Sequence, residues 1–142
     1  MTIAKAKRQV PEISDEADFR RFVTECAGSA HVSHIESHEA SPGIPDLNIC
    51  MRGIDIWIEL KVMSSRKPPK MRATQKRWHA NRYDHGGRSW VITLDLDEMN
   101  LVVLPGQTAA SLPAKVGIWR NIGFTHSVTA IPAIIRMMAR RL

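Results

Sequence analysis

Cysteine is scarce in this chain, and so are long apolar runs. Two cysteines, Cys26 and Cys50, stand among 142 residues, too few for a disulfide framework, and a reducing compartment is the simpler expectation. The longest stretch without charge, between Glu98 and Lys115, holds two prolines and a Gln. It falls short of the roughly 20 apolar residues a spanning helix needs. The basic start Lys5, Lys7, Arg8 is followed by no apolar segment of the kind that marks a secretory signal. A soluble, cytoplasmic protein is expected. Internal repeats and low-complexity tracts are also missing. The content is 44% hydrophobic and 24% charged, which is globular and rules out wholesale disorder.

Acidic residues are the other shortage. Twenty Lys and Arg stand against fourteen Asp and Glu, for a net charge of +6. Nine of the twenty lie between Lys61 and Arg88, where Asp84 is the only acid. Such a balance favours polyanionic partners, although a basic run can equally be a solvated helix face.

Polar residues 1–13 read as a loose basic arm. Ser14 or Asp15 can cap a helix that runs to about Ala27, with Gly28 as its stop. Phe19, Phe22, Val23 and Cys26 follow helical spacing. Residues His31 to His38 suit a strand, and Ser41-Pro42-Gly43-Ile44-Pro45 a rigid loop. Then Leu47, Ile49 and Met51 alternate with polar neighbours. After Arg52-Gly53 the alternation resumes through Ile54, Ile56, Ile58 and Leu60. Period two on both sides of a two-residue glycine turn predicts a β-hairpin.

Pro68-Pro69 is read as the opening of a basic helix that ends near Gly86-Gly87, with Met71, Gln75, Trp78 and Arg82 on one face. Strands are expected at Trp90–Leu94 and Leu101–Leu104. A short helix, a strand near Ile118 and a helix after His126 follow. The order is α, three strands, α, then further strands and helix, which is an α/β domain with a mixed sheet.

The hairpin carries a geometric prediction. With Arg52-Gly53 as the loop, Met51 faces Ile54 and Asp46 faces Glu59. Directly opposed residues share a sheet face, with Cβ atoms about 4.5–5.5 Å apart. Lys61, two residues beyond Glu59, points the same way. Two carboxylates and one ammonium therefore gather on the polar side of a hairpin whose other side is apolar. Hard carboxylate oxygens suit Mg²⁺ or Mn²⁺, and a metal held there can activate water and neutralise charge on a phosphate. The bland alternative is a solvated strand face with an ordinary Glu59–Lys61 pair.

Gly43-Ile44-Pro45-Asp46, followed after twelve residues by Glu59-Leu60-Lys61, resembles the PD-(D/E)xK nuclease superfamily. Within it, the run is similar to the virus-type replication-repair nucleases (VRR-NUC) and to phage junction-resolving endonucleases. Their pattern is a Gly-x-Pro-Asp loop, an apolar hairpin ending in Glu-x-Lys, and a helix bearing a Gln. The likeness covers residues 14 to about 95. It implies a restriction-endonuclease-like core, a central mixed β-sheet flanked by helices in the order αβββαβ, with a C-terminal helical extension over 96–142.

The resemblance further implies Asp46, Glu59 and the Leu60 backbone carbonyl as ligands of Mg²⁺ or Mn²⁺, and Lys61 as the catalytic lysine. It places Gln75 toward the active site, where the residues alone also allow a Gln capping a strand edge. It puts a glutamate of the first helix near the metal, and Glu16, three residues before Phe19, is preferred over Glu12 and Glu25. An exposed first-turn Glu that merely favours the helix dipole is the competing reading. Arg72-Ala73-Thr74 lacks the Ser-Pro often found in the family, and the last 45 or so residues have no counterpart.

The implied activity is metal-dependent hydrolysis of DNA, leaving 5′-phosphate and 3′-hydroxyl ends, with branched DNA and a homodimer by resemblance. Arg66, Lys67, Lys70, Arg72, Lys76, Arg77 and Arg82 would contact phosphates, which positions DNA without reading its sequence. No helix-turn-helix or zinc-finger signature accompanies them. The alternatives are a non-catalytic basic DNA-binding protein, and a nuclease of free ends or single strands using the same residues. Trp57 and Trp78 are expected in the core. His34 and His38, with Cys26 or Cys50, fit no paired zinc spacing. The C-terminal Ile131, Ile134, Ile135 and Met138 could finish the core or supply an interface.

Overall fold

The computed structural model describes residues 10–35, 42–122 and 125–140. Helix α1 (Glu16–Cys26) opens on Asp15, whose side chain accepts the Asp18 N–H, a standard N-cap. Strand β1 (His31–His34) pairs antiparallel with β2 (Leu47–Met51), and β2 with β3 (Ile54–Met63). The hairpin register is the expected one, from Met51 opposite Ile54 to Leu47 opposite Ile58. Arg52 and Gly53 both have positive φ, 53° and 76°, as the tight turn that matches strand twist requires.

Helix α2 (Ala73–Asp84) carries the chain over to β4 (Trp90–Asp95), which pairs parallel with β3. A parallel pair needs such a crossover. Next come β5 (Asn100–Pro105), α3 (Gly106–Ala110), α4 (Val116–Asn121), β6 (Thr125–Ser127), a turn of 3₁₀ helix and α5 (Ile131–Met138). The six strands lie in sequence order in one mixed sheet, parallel only at β3–β4.

Strand alternation assigns the two faces. Leu47, Ile49, Ile56, Ile58, Leu60, Ile92, Leu94 and Leu101 meet Phe19, Phe22 and Val23 of α1 and Ile131, Ile134, Ile135 and Met138 of α5 in the larger core. The opposite face buries Met63, Val91, Val102 and Leu104 against Met71, Ala109 and Trp119. Glu59 and Lys61 belong to this second face, beneath α2.

Several sequence expectations shift. Ile13, inside the arm expected to be loose, is buried, and Val10 packs on the larger core. Residues 1–9 lie outside the described residues, as do His38 and the end of the strand expected from His31. Helix α2 begins at Ala73 and not at Pro68-Pro69, because Ser64 and Lys67 first close a tight antiparallel turn. Ile118 sits in α4, not in a strand. Trp119 fills the second core from α4, and Arg120 beside it is tied to Asp95. The segment beyond residue 95 supplies two of the six strands as well as three helices. The α5 isoleucines finish the chain's own core, so they provide no interface. No described helix is long and apolar enough to cross a membrane.

Candidate active site

Strand parity brings Glu59 and Lys61 to one face of β3, and α2 closes over them. Glu59 is 1% exposed and Lys61 7%, so neither belongs to a solvated strand face. Asp46 stands at the mouth of β2. Its backbone carbonyl accepts the Ile35 N–H at 2.9 Å, and its carboxylate accepts the Leu60 N–H at 3.3 Å. The loop that delivers it lies against the first turn of α2. Gly43 has φ +86°, and a Cβ there would fall 2.1 Å from the Thr74 carbonyl oxygen. Only glycine permits that approach.

Gln75 links the charged groups. Its amide nitrogen donates to Glu59 Oε1 at 2.9 Å. Its Oε1 accepts from Lys61 Nζ at 3.1 Å and from the Arg72 N–H at 2.9 Å. The last bond is the reciprocal half of a capping box at the start of α2. Lys61 Nζ also lies 3.3 Å from Glu59 Oε1. The other carboxyl oxygen, Glu59 Oε2, is buried with no hydrogen-bond partner among the described residues. Burial first, and the neighbouring Asp46 carboxylate second, push the Glu59 carboxyl up to about 8, against the pull of Lys61. Such a site is short of positive charge.

A hard divalent cation fits this deficit. Asp46 and Glu59 Oε2, with the Leu60 carbonyl, are the oxygens that would hold it, and Mg²⁺ typically takes one or two carboxylates plus substrate phosphate. Among the described residues no cluster of three or more His, Cys, Asp or Glu side chains is found. Glu16 is exposed at the first position of α1, and α1 packs on the far face of the sheet. It makes no hydrogen bond or ion pair with Asp46, Glu59 or Lys61. Glu36 and Glu39, carboxylates that precede Asp46 in the chain, fall outside the described residues. His34 bonds to Thr24 Oγ1 at 3.1 Å and joins no metal cluster.

Of the basic residues, Arg66, Lys67, Lys70, Arg72, Lys76 and Arg77 are exposed along the path from β3 into α2. Arg82 is placed differently. Its guanidinium lies 5.5 Å from the ring centres of both Trp57 and Trp78, and those rings are 5.6 Å apart.

The residue reading missed His79, fully buried one turn beyond Gln75. It shares a 2.6 Å hydrogen bond with Ser89 Oγ, while its Nε2 has no partner among the described residues. Burial, and then the Lys61 charge, hold its imidazole down to about 4, so it is neutral at ordinary pH. Gly106 permits this packing, since a Cβ there would fall 2.2 Å from His79 Nδ1. Spacing of i+4 from Gln75 was the available signal. Thr93, opposite Lys61 in the ladder, also buries an unpartnered hydroxyl.

No family model matches the chain, the VRR-NUC resemblance included, and no curated protein matches it. Among solved structures it is similar to Hjc, a Holliday junction resolvase from the archaeal hyperthermophile Archaeoglobus fulgidus. The TM-score is 0.54 at 13% identity, over 84% of this chain and 96% of that one. The likeness establishes the fold: a mixed sheet with flanking helices of the restriction-endonuclease type.

Proposed function

We propose that the chain is a metal-dependent DNA endonuclease selective for branched DNA such as four-way junctions. The observation that carries this is Glu59: a buried carboxyl with one unpartnered oxygen, beside Asp46 and coupled to Lys61 through Gln75. A binding protein needs no carboxylates facing phosphate. The likeness to a junction resolvase favours the same chemistry and the same class of DNA.

Asp46 and Glu59, with the Leu60 carbonyl, would hold Mg²⁺ or Mn²⁺. When bound, the ion supplies a lowered pKa for water and neutralisation of phosphate charge. Lys61 brings a fixed positive charge to where the attacked phosphate gains negative charge, in a site largely closed to water. Gln75 orients that ammonium by accepting its hydrogen bond, and fixes Glu59 with its amide. Water oxygen bonds to phosphorus as the bond to the 3′ oxygen breaks. The leaving oxygen gains a proton, which gives 5′-phosphate and 3′-hydroxyl ends. The exposed bases from Arg66 to Arg77 hold the backbone without reading sequence. A four-way junction needs two symmetric cuts, so the active form is a homodimer on DNA.

The test is cleavage of labelled four-way junction, flap, linear duplex and single-stranded DNA in Mg²⁺, Mn²⁺ and EDTA, with Asp46→Ala beside the wild type. Metal-dependent cutting, strongest on the junction and lost in the variant, is expected. Tight binding without cutting under any metal would overturn the nuclease reading. A protein still monomeric on junction DNA at micromolar concentration would overturn the paired cut.

A further inference from the structure

Beside the catalytic cluster stands a second constellation. Trp57 lies on the same face of β3 as Glu59, two residues earlier, hence about 6.6 Å along the strand. Trp78 and Arg82, one turn apart on α2, close on it. We propose that Trp57, Trp78 and Arg82 form a stacking platform that takes an unpaired nucleobase next to the cut phosphate. The proposal rests on the nuclease reading for its substrate.

Comparison within the molecule distinguishes this cluster from core packing. Trp119, a core tryptophan, is 1% exposed and its indole N–H bonds to the Pro113 carbonyl at 2.9 Å. Trp57 and Trp78 are only half-buried, and neither indole N–H has a hydrogen bond among the described residues. Arg82 Nε is buried and equally unpartnered. Its guanidinium is positioned by the two rings, not by an acid.

The surroundings are also open. The ladder sets Ser33, Asn48 and Trp57 in one row across β1, β2 and β3, and His31, Cys50 and Asp55 in the next. All six are half-buried or exposed, while Leu47, Ile49, Ile56 and Ile58 on the other face are buried. Trp78, Asn81, Arg82 and His85 line an open cleft of about 260 Å³. That is below the roughly 300–1,000 Å³ of drug-sized sites, a size suited to one base.

Every base presents a π face, so a tryptophan platform binds without sequence preference. Bases inside a duplex are already stacked and would have to be extracted. Unpaired bases at a branch or on a single strand are free to dock. The platform therefore selects DNA structure and not DNA sequence.

The experiment is equilibrium binding of the full chain in EDTA to a single-stranded oligonucleotide, its blunt duplex and a four-way junction, read by anisotropy and tryptophan fluorescence. Single-stranded and junction DNA should quench the fluorescence. Trp78→Leu should weaken single-strand binding by about 5- to 150-fold, the range set by removal of one stacked base. Its duplex affinity and its salt slope should stay as in the wild type. Trp78→Phe, which keeps a π face, should restore most of the loss. Unchanged single-strand affinity in both Trp78→Leu and Trp57→Leu would overturn the proposal, and so would equal losses on every DNA in Trp78→Leu and Trp78→Phe. Because binding is read without metal, a wild type that stacks DNA but cuts nothing overturns the nuclease reading alone. One that cuts, while Trp78→Leu and Trp57→Leu both bind single strands normally, overturns the platform alone.

Discussion

Burial, and then the Asp46 carboxylate, hold the Glu59 carboxyl well above the usual carboxylate range, and this has a measurable consequence. Its folded pKa of about 8 lies above the ordinary 4.5. Between those values the native state binds more protons than the unfolded chain, so stability falls as pH rises. His79 acts oppositely. With a folded pKa of about 4 against 6.5, it contributes stability that is present above 6.5 and lost as pH falls. From pH 6.5 to about 8 the Glu59 effect is left alone of the two. In EDTA the unfolding free energy should fall across that window, with a slope of at most about 1.4 kcal/mol per pH unit, one proton's worth, and the melting temperature should fall with it. Glu59→Gln should flatten it, and an unchanged slope in that variant would show the proton to be elsewhere. Mg²⁺ should raise the melting temperature more at pH 8 than at 6.5, since binding displaces the proton. Gln75→Ala removes the orienting bonds to both Glu59 and Lys61. Loss of such supporting bonds typically costs 10- to 100-fold, and single-turnover cleavage should show a drop of that order.

The loop Gly43–Asp46 and the first turn of α2 work as one element. A Cβ at Gly43 would meet backbone and not a flexible side chain, at a φ that disfavours L residues. Gly43→Ala should cost about 1–3 kcal/mol from backbone strain alone, read from the urea midpoint. It should also weaken the Mg²⁺-induced rise in melting temperature, because Asp46 is carried away from Glu59. Wild-type Mg²⁺ response in a destabilised Gly43→Ala would separate loop from site. At this scale the sequence is most readable where the period is short and the partner local. The β2–β3 hairpin, its register and the meeting of Asp46 with Glu59 all follow from alternation around Arg52-Gly53. The start of α2 does not, since Pro68-Pro69 mimics a helix opening and the turn Ser64–Lys67 that displaces it leaves no periodic mark. Val116, Ile118 and Trp119 favour a strand by propensity. Burial of Trp119 and the Arg120–Asp95 pair, with Nε–Oδ2 at 2.6 Å, decide for a helix. Glu16 continues an apolar face in the sequence, yet the end of a helix is exposed whatever stripe it extends. His79 is not legible in the sequence because a buried histidine has no apolar signature of its own.

Across the whole molecule, exposed basic residues are densest along the path from β3 into α2. The larger core joins α1 and α5 beneath the sheet, while the opposite face holds Glu59, Lys61 and Gln75, with the exposed bases from Arg66 to Arg77 beside them. The exposed large apolar side chains among the described residues are Tyr83, Ile118 and Met137, scattered singly, a pattern normal for a protein surface. On the proposed reading, affinity for DNA should come mainly from charge, with stacking as the structure-selective part. Charge contacts release counterions, so log K falls with log salt at about −0.9 per phosphate contacted on duplex and −0.7 on single strands. Lys76, on the solvent side of α2 next to Gln75, has no hydrogen bond or ion pair with Asp46, Glu59 or Lys61. Lys76→Ala should weaken binding evenly across duplexes of different sequence and reduce the salt slope by about one. The melting temperature and the Mg²⁺ response should stay as in the wild type. A slope unchanged in Lys76→Ala would place the DNA path off the outer face of α2 and confine backbone contacts to the Arg66–Arg72 approach.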